Sequence, residues 1–429
     1  MKKRFLAAVG ISIALITSVL IIAGCGTQPN PQPPTDLPTP PSTQGIAATR
    51  PLVTAVNNFG FSLLQDIKRT SNENTVISPV SIHEALSMTV NGANGTTKNQ
   101  MRKTLGIDSL SEDAANAQWK TLNDIFKTAG ASDPKTARTL DIANSIWYQK
   151  GHSMKTTFAA TIKDSFGAQA SPADFAKPQA AKSINDWVSK QTSGNIQNLI
   201  ERTDASDRLY LVNAVYFHAD WEEPFEKEST QDATFTKADS HTVKVPMMHN
   251  ETFLPVYQTK SYQATKLAYQ DGKTSFYIFL PNKVNTTDTV LTALANGGYQ
   301  TAVAALSSAE STNVALTLPK LDTKLNTNLA PQLEHLGMPD AFDDKANFSR
   351  MLTGGDDLYI AKVIHATRLK VDEEGTTAAA ATAVGIMSKA APVQQQPLEF
   401  TCDHPYICAL VDDTSGATLF LGVINDPQN

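Results

Sequence analysis

The stretch from Glu374 to Lys389 constrains the fold more than any other part of this chain. Its thirteen residues from Thr376 to Ser388 contain no charge and no proline, and the first eight contain no side chain larger than threonine. Alanine has the highest helix propensity, so one interpretation is an exposed helix. The segment nevertheless lacks the capped, amphipathic pattern that would hold such a helix against a core.

The second interpretation is a segment that can become a central strand of an existing sheet. Every N–H of a central strand is needed for the ladder, which excludes proline, and small side chains ease insertion between strands that already pack over a core. Proline is absent from Thr376 to Ala391. A charge on the inward face would be buried without a partner. Because strand side chains alternate, the small residues sharing the interior face would be Thr376, Ala378, Ala380 and Thr382.

The other signals describe a chain with both helices and strands. Ser78 followed by Pro79 predicts a helix start, and apolar residues at helical spacing predict an amphipathic helix that ends at Gly92. We therefore predict an α+β fold rather than a regularly alternating parallel sheet. Runs rich in β-branched and aromatic residues predict strands at Leu209 to Phe217, Phe276 to Leu280, Val314 to Leu318, Tyr359 to Val371 and Ala417 to Ile424.

The N-terminus has the pattern of an export signal. Three basic residues precede an apolar run from Phe5 to Ile22, and the sequence Ile-Ala-Gly-Cys that ends at Cys25 resembles a bacterial lipobox, in which the cysteine is lipidated. We predict a signal peptide over residues 1–24, a solvated proline-rich linker over 25–46 and a folded domain over 47–429. That domain would be tethered to the bilayer outside the cytoplasm. An ordinary signal peptide or a single membrane helix is the alternative.

Charge and motifs argue against several functions. The net charge of −6 is unfavourable for binding nucleic acid. Phosphate-binding glycine loops and the hydrolase nucleophile elbow are missing from the sequence. The only histidine close to a cysteine ends the trio Cys402-Asp403-His404, which we do not expect to bind a metal. His83 and Glu84 begin like a metalloprotease helix, but Ser87 stands in place of the second histidine, so we expect a solvated helix face. The sequence therefore predicts no enzyme activity and no cofactor.

Six motifs follow one another in an order and at a spacing typical of one family. The residues from Glu373 to Thr376, with the alanines after them, resemble the hinge of the reactive-centre loop in inhibitory serpins. By these motifs the chain after the linker is identified as a member of the serpin family. The other motifs are Asn74 to Ser81 with Ala85 to Met88, Asn213 to Phe217 with Trp221 and Phe225, Leu318 to Lys320, Leu336 to Met338 with His365, and Phe400 to Tyr406.

The resemblance implies a serpin fold, with three β-sheets, about eight or nine helices, an exposed reactive-centre loop and a metastable native state. It also implies inhibition as a suicide substrate. A serine protease would cut the loop and remain covalently attached while the loop inserts into the central sheet. The hinge of that movement would be Glu373, Glu374, Gly375 and Thr376, followed by the small residues named above.

The same resemblance locates the bond that is cut. Counting from the hinge, the bond joins Lys389 to Ala390, which would suit trypsin-like proteases. A cut after Met387, which would suit chymotrypsin- or subtilisin-like proteases, is the alternative. We expect the inhibitor to act as a monomer.

The resemblance further assigns residues that would control opening of the central sheet. Considered singly, they have plainer interpretations as a helix cap, satisfied core polar groups and a surface lysine. His218 stands where the family commonly has lysine, and we expect this difference not to affect inhibition. The assigned residues are Ser78, Ser81, Asn213, His365, Trp221 and Lys320, with Lys320 as the partner of Glu373.

Two other functions compete with inhibition. A non-inhibitory serpin could act as a binding protein on the cell surface, but such members tend to carry charge, bulk or proline in the hinge, which this chain does not. A solute-binding lipoprotein of a transporter shares the anchor and linker, but it would have two similar α/β lobes, which the motif order does not support.

Overall fold

The computed structural model describes residues 42–128, 138–354, 358–376 and 396–428. Within these residues two 3-10 helices occur, Lys227–Ser229 and Pro339–Phe342, and a π-helical turn, Leu294–Gly298, joins α8 to α9. The α-helices are α1 (Thr43–Ala48), α2 (Arg50–Lys68), α3 (Pro79–Val90), α4 (Gly95–Thr104), α5 (Glu112–Thr128), α6 (Thr156–Phe166), α7 (Pro178–Gln191), α8 (Thr287–Ala293), α9 (Tyr299–Ser308) and α10 (Ala330–His335).

The strands of the described residues are β1 (Thr75–Ile77), β2 (Thr139–Gln149), β3 (Ser153–Met154), β4 (Gln169–Ala173), β5 (Leu209–Asp220), β6 (Gln231–Thr236), β7 (Thr242–Gln258), β8 (Tyr262–Ala268), β9 (Thr274–Pro281), β10 (Ser311–Pro319), β11 (Leu321–Asn328), β12 (Leu352–Thr353), β13 (Ile360–Val371), β14 (Gly375–Thr376), β15 (Leu398–Thr401), β16 (Tyr406–Asp412) and β17 (Ala417–Ile424). All five predicted strands are present, as β5, β9, β10, β13 and β17, and they differ from the predictions only at their ends.

The helix predicted after Ser78 is present, but it is not amphipathic. Ser78 Oγ accepts the backbone N–H of Ser81 at 3.4 Å, and Pro79 occupies the first helical position, so the predicted start is confirmed. All residues of α3 are buried, including His83 and Glu84, for which we expected a solvated face. The reason is tertiary, because α2, α4, β2, β5 and β17 all contact α3.

The six-stranded sheet carries the hinge. Its strand order is β11-β13-β5-β2-β4, and β14 adds to β5 off this path. The central neighbours β13 and β5 run parallel, whereas β5 and β2 run antiparallel. Side chains alternate between two cores, since Val215 and Phe217 of β5 pack into the larger core while Tyr210 and Val212 pack beneath α7. The space between β13 and β5 is therefore bounded by packed layers on both faces.

A nine-stranded sheet and a two-stranded sheet complete the described architecture. The larger one has the order β1-β17-β16-β9-β8-β7-β10-β15, with β6 on β7. Strand β7 is long enough to pair with β6 and β10 along most of its length and with β8 at its end. Three sheets and nine helices from α2 onward confirm the predicted α+β serpin fold for the described part of the chain.

The predicted N-terminal segments are only partly covered. The signal peptide (1–24) and Cys25 lie outside the described residues. Helix α1 begins at Thr43, within the predicted extended linker, because Ser42 Oγ accepts the N–H of Gly45 at 3.1 Å and no proline follows until Pro51. That end of the linker is therefore helical, and the domain boundaries stay a prediction. None of the helices described has both the length and the apolar character needed to cross a bilayer.

Candidate functional site: hinge and polar cluster of the six-stranded sheet

Two residues of the hinge (Glu373 to Thr376), Gly375 and Thr376, already form the start of a strand in the six-stranded sheet. Pairing between β13 and β5 ends at Arg368 and Tyr216. Beyond that point β14 lies antiparallel to β5, with Gly375 opposite Asp220 and Thr376 opposite Ala219. On its other side the carbonyl of Gly375 accepts the N–H of Asp372, at the end of β13, at 2.9 Å. The hinge is therefore held between the two central strands.

Gly375 is the residue that this position requires. Its φ of 151° lies in a region that side-chain-bearing residues rarely adopt. A Cβ atom there would stand 2.3 Å from the carbonyl oxygen of Ala219 and 2.6 Å from Cα of Asp220. Any other residue at position 375 would push β14 away from β5.

Thr376 is anchored by two residues that the sequence analysis did not identify. Its side chain is 1% exposed, and its Oγ1 lies 2.9 Å from the hydroxyl of Tyr269. Its carbonyl oxygen accepts a hydrogen bond from Nδ1 of His218. His218 therefore contacts the hinge, and the expectation that it does not affect inhibition stays a prediction. One sequence feature could have indicated this contact: His218 comes one residue after the Asn213 to Phe217 motif, on the strand that would receive the loop.

An aromatic stack supports this anchor. The rings of Trp221 and Tyr269 are stacked, with centroids 4.3 Å apart at 18°. Trp221 Nε1 donates to the carbonyl of Asp372 at 2.9 Å, and the N–H of Trp221 donates to the carbonyl of Glu374, also at 2.9 Å. Trp221 therefore lies beside the hinge, where the pairing of β13 with β5 has ended.

The hinge acids are held by cations. Lys320 Nζ lies 2.7 Å from Glu373 Oε2, and Thr230 Oγ1 donates to the other oxygen at 2.8 Å. Burial acts to raise the pKa of Glu373, but the hydrogen bonds from Lys320, from a backbone N–H and from Thr230 together outweigh it and leave the pKa below the ordinary value. Lys227 forms a close ion pair with Glu374. The predicted pairing of Lys320 with Glu373 is present.

A polar cluster lies deeper between β13 and β5. We define it as Ser78, Ser81, Asn144, Asn213 and His365. Asn213 and His365 face each other across the parallel pair. Burial lowers the pKa of His365 to about 3, so the ring is neutral at physiological pH.

Hydrogen bonds connect the members of this polar cluster. Ser78 N–H donates to Nε2 of His365 at 3.1 Å, and Nδ1 of His365 bonds to Oδ1 of Asn213. Asn213 Nδ2 donates to Ser81 Oγ and to Asn144 Oδ1. The structure thus brings together four of the six residues assigned to sheet opening, namely Ser78, Ser81, Asn213 and His365. The other two, Trp221 and Lys320, lie beside the hinge. The role of all six in opening stays a prediction. Asn144 was missed, although it is an amide among apolar residues of β2.

The remaining predicted site residues lie outside the described residues. They are Lys389, Ala390 and the alternative Met387 at the reactive bond, and Ala378, Ala380 and Thr382 in the loop. Among the residues that are described, no group of His, Cys, Asp and Glu is placed to hold a metal ion.

Comparison with known proteins identifies the class. The family model described as Serpin (serine protease inhibitor) matches residues 54–427, and the chain belongs to this family of protease inhibitors. A serpin-like protein of Thermococcus kodakarensis is 32% identical over 435 residues, which cover 97% of this chain and 99% of that protein. Leukocyte elastase inhibitor A of Rattus norvegicus is 33% identical over 390 residues, 88% of this chain and 99% of that protein. The crystal structure of the thermophilic serpin tengpin in its native state matches with a TM-score of 0.78 at 30% identity, covering 87% of this chain and 94% of that one.

Proposed function

We propose that the protein inhibits trypsin-like serine proteases as a suicide substrate. The protease serine would attack the carbonyl of Lys389, expel the amine of Ala390 and remain bound as an acyl-enzyme ester. The freed loop would then insert between β13 and β5 and carry the protease with it. The observation that carries this proposal is that Gly375 and Thr376 already pair with β5 in the antiparallel sense that insertion requires.

The strand register supports continued insertion. If the register of β14 continues, residues 377–386 would lie opposite His218 to Leu209 of β5. Ala378 would then face Phe217 and Ala380 would face Val215, both of which point into the larger core. Small side chains are what this packed face can accept without displacing the core.

Insertion would be favourable because one ladder of backbone hydrogen bonds, between β13 and β5, would be replaced by two, one on each side of the inserted strand. The parallel pairing of β13 with β5 would be lost, and each inserted residue would bond to both strands. That is a net gain of roughly one ladder bond per residue, each contributing about 0.5–1.5 kcal/mol, or on the order of 10 kcal/mol in total. The intact form would then persist because of a kinetic barrier rather than as the state of lowest free energy.

The hinge composition favours inhibition over a purely binding role. The residues after Gly375 carry no charge and no proline, and Thr376 fits its buried site. The related leukocyte elastase inhibitors are named for protease inhibition. We further propose that the protein acts as a monomer. Lipidated Cys25 would anchor it to the bacterial cell membrane, on the side that faces away from the cytoplasm.

The test is complex formation with trypsin. Wild type and the cation-preserving control Lys389→Arg should form an SDS-resistant complex, and Lys389→Glu should form none. If Lys389→Glu inhibits like wild type, the reactive bond lies elsewhere, and a chymotrypsin complex that is lost in Met387→Asp would assign it to Met387. Loop-cleaved protein should also melt at a higher temperature than intact protein. Equal melting temperatures would show that no conformational energy is released.

A further inference from the structure

Glu84 is a buried carboxylate next to the polar cluster. It lies on α3 with 2% of its surface exposed. Its Oε1 accepts from Nδ2 of Asn123 on α5 at 2.6 Å, and its Oε2 accepts from Nδ2 of Asn144 on β2 at 2.7 Å. Both donors are uncharged amides. Burying a charge with only neutral partners costs free energy, so the presence of a carboxylate at this position needs a structural reason.

The bonds from β13 to Glu84 all point in one direction. Ser78 N–H donates to His365 Nε2, which requires the ring proton to be on Nδ1, where it is donated to Asn213. Asn213 Nδ2 then donates to Asn144 Oδ1, and Asn144 Nδ2 donates to Glu84. A carboxylate can only accept, so Glu84 obliges Asn144 to turn its oxygen toward Asn213. Glu84 is thus the terminal acceptor of the whole chain of bonds.

We infer that Glu84 is a positioning residue for loop insertion, whose carboxylate orients the polar cluster and so holds β13 and β5 together. The inference rests on the proposed function. In the register set by β14, residue 382 would lie opposite Asn213, so insertion has to separate Asn213 from His365. Asn144 accepts from Asn213, so a misoriented Asn144 would weaken the contact between Asn213 and His365. The barrier to separating β13 from β5 would then be lower.

The substitution Glu84→Gln tests this role. Glutamine offers one acceptor oxygen instead of two, so its amino group meets the amino group of Asn123 or of Asn144 unless Asn144 turns over. We expect loop-peptide insertion to become about tenfold faster, as for the loss of one hydrogen bond to a charged group. The double variant Glu84→Gln with Asn144→Asp moves the carboxylate from α3 to β2. The carboxylate at position 144 can accept from Asn213 and from the new amide at position 84, so the wild-type rate should return.

The assay follows uptake of a synthetic peptide with the sequence of residues 376–387 by intact protein at pH 8, on native gels and through the rise in melting temperature. Glu310→Gln, an exposed residue before β10, is the matched control and should behave like wild type. Equal rates for Glu84→Gln and wild type, or a double variant as fast as Glu84→Gln, would overturn the inference. Absence of peptide uptake and of stabilisation on cleavage in wild type would instead refute the proposed function, and the inference with it.

A pH profile of wild type keeps the inference testable if Glu84→Gln does not fold. Burial raises the pKa of Glu84 to about 7, although its amide bonds and Lys127 of α5 oppose the shift. The other groups bonded to it, from β2 and α5, are amides. On its own helix, His83 has a pKa of about 4 and stays neutral. Peptide uptake should accelerate from pH 8 to pH 6, because a protonated Glu84 can donate as well as accept and no longer fixes the orientation of Asn144. Since His218 contacts the hinge, the same acceleration is expected when His218→Gln is used as the background. A flat profile would contradict the role of Glu84.

Discussion

Replacing Thr376 with arginine is the sharpest perturbation of the hinge, and Thr376→Ala is its matched control. The site is fully buried and is closed by Tyr269, whose ring stacks on Trp221. Alanine removes one neutral hydrogen bond, which contributes about 1 kcal/mol, and still fits. Arginine would place a cation beside Tyr269 and His218, neither of which carries a negative charge, and burying such a charge unpaired costs several kcal/mol. The two variants therefore differ in charge and size at a single position.

The intact Thr376→Arg variant can avoid this cost by releasing the two-residue strand β14 from β5, whereas insertion of the cut loop has to bury the arginine. In the proposed mechanism the cost therefore acts on the step that decides between inhibition and hydrolysis. After acylation, insertion competes with hydrolysis of the ester. A barrier raised by about 3 kcal/mol slows insertion by roughly 100-fold, so almost every acyl-enzyme would be hydrolysed before it is trapped. We expect Thr376→Arg to be cleaved as a substrate and Thr376→Ala to remain an inhibitor.

The measurement is the molar ratio of inhibitor needed to silence trypsin, together with the yield of SDS-resistant complex. Thr376→Arg should require a large excess and leave cleaved monomer on the gel, whereas Thr376→Ala should stay close to the wild-type ratio. If Thr376→Arg gave as much complex as wild type, insertion past Ala219 could not be part of the trapping step, and the reasoning from the position of β14 would be refuted.

Two further predictions concern the anchor and the buried histidine. Cys25→Ala should release the protein from the membrane into the medium, measured by fractionation and immunoblotting, and unchanged retention would contradict lipid anchoring. His365 binds a proton less tightly in the folded protein (pKa about 3) than at its ordinary value of 6.5, so the free energy of unfolding should fall as the pH drops from about 6.5 toward 3. Urea denaturation at pH 7, 5 and 4 should show a smaller fall for His365→Gln, and an equal fall would show that another group governs acid sensitivity.

Local patterns were sufficient for much of the fold. The start of α3 followed from Ser78 and Pro79 because capping is decided within one turn of helix. Five of the strands, β5, β9, β10, β13 and β17, followed from β-branched and aromatic runs, which need no knowledge of their neighbours. The pairing of β13 with β5, and the addition of β14 to β5, depend on contacts between distant segments. Periodicity alone does not encode them.

The same limit explains which site residues were missed. Tyr269 contacts Thr376 across more than one hundred positions of sequence, and no local pattern links them. Glu84 was interpreted as part of a solvated face because charge on a helix is usually exposed, yet α3 is enclosed on every side. Asn144 has meaning only beside Asn213 on the neighbouring strand. These residues are polar groups in buried places, and their significance depends on partners that only the tertiary structure supplies.

The hinge and the polar cluster act on different parts of one movement. Gly375 and Thr376 fix the register of the incoming strand, and a slip by one residue would turn the small side chains away from the core face. Six residues along β5, roughly 20 Å at strand spacing, Asn213 faces His365 and resists separation of β13 from β5. In the proposed mechanism the hinge would decide whether the loop can enter the sheet, and the polar cluster with Glu84 would set how fast the sheet opens. Because the two act in series, a more easily opened cluster cannot compensate for a hinge that carries a charge.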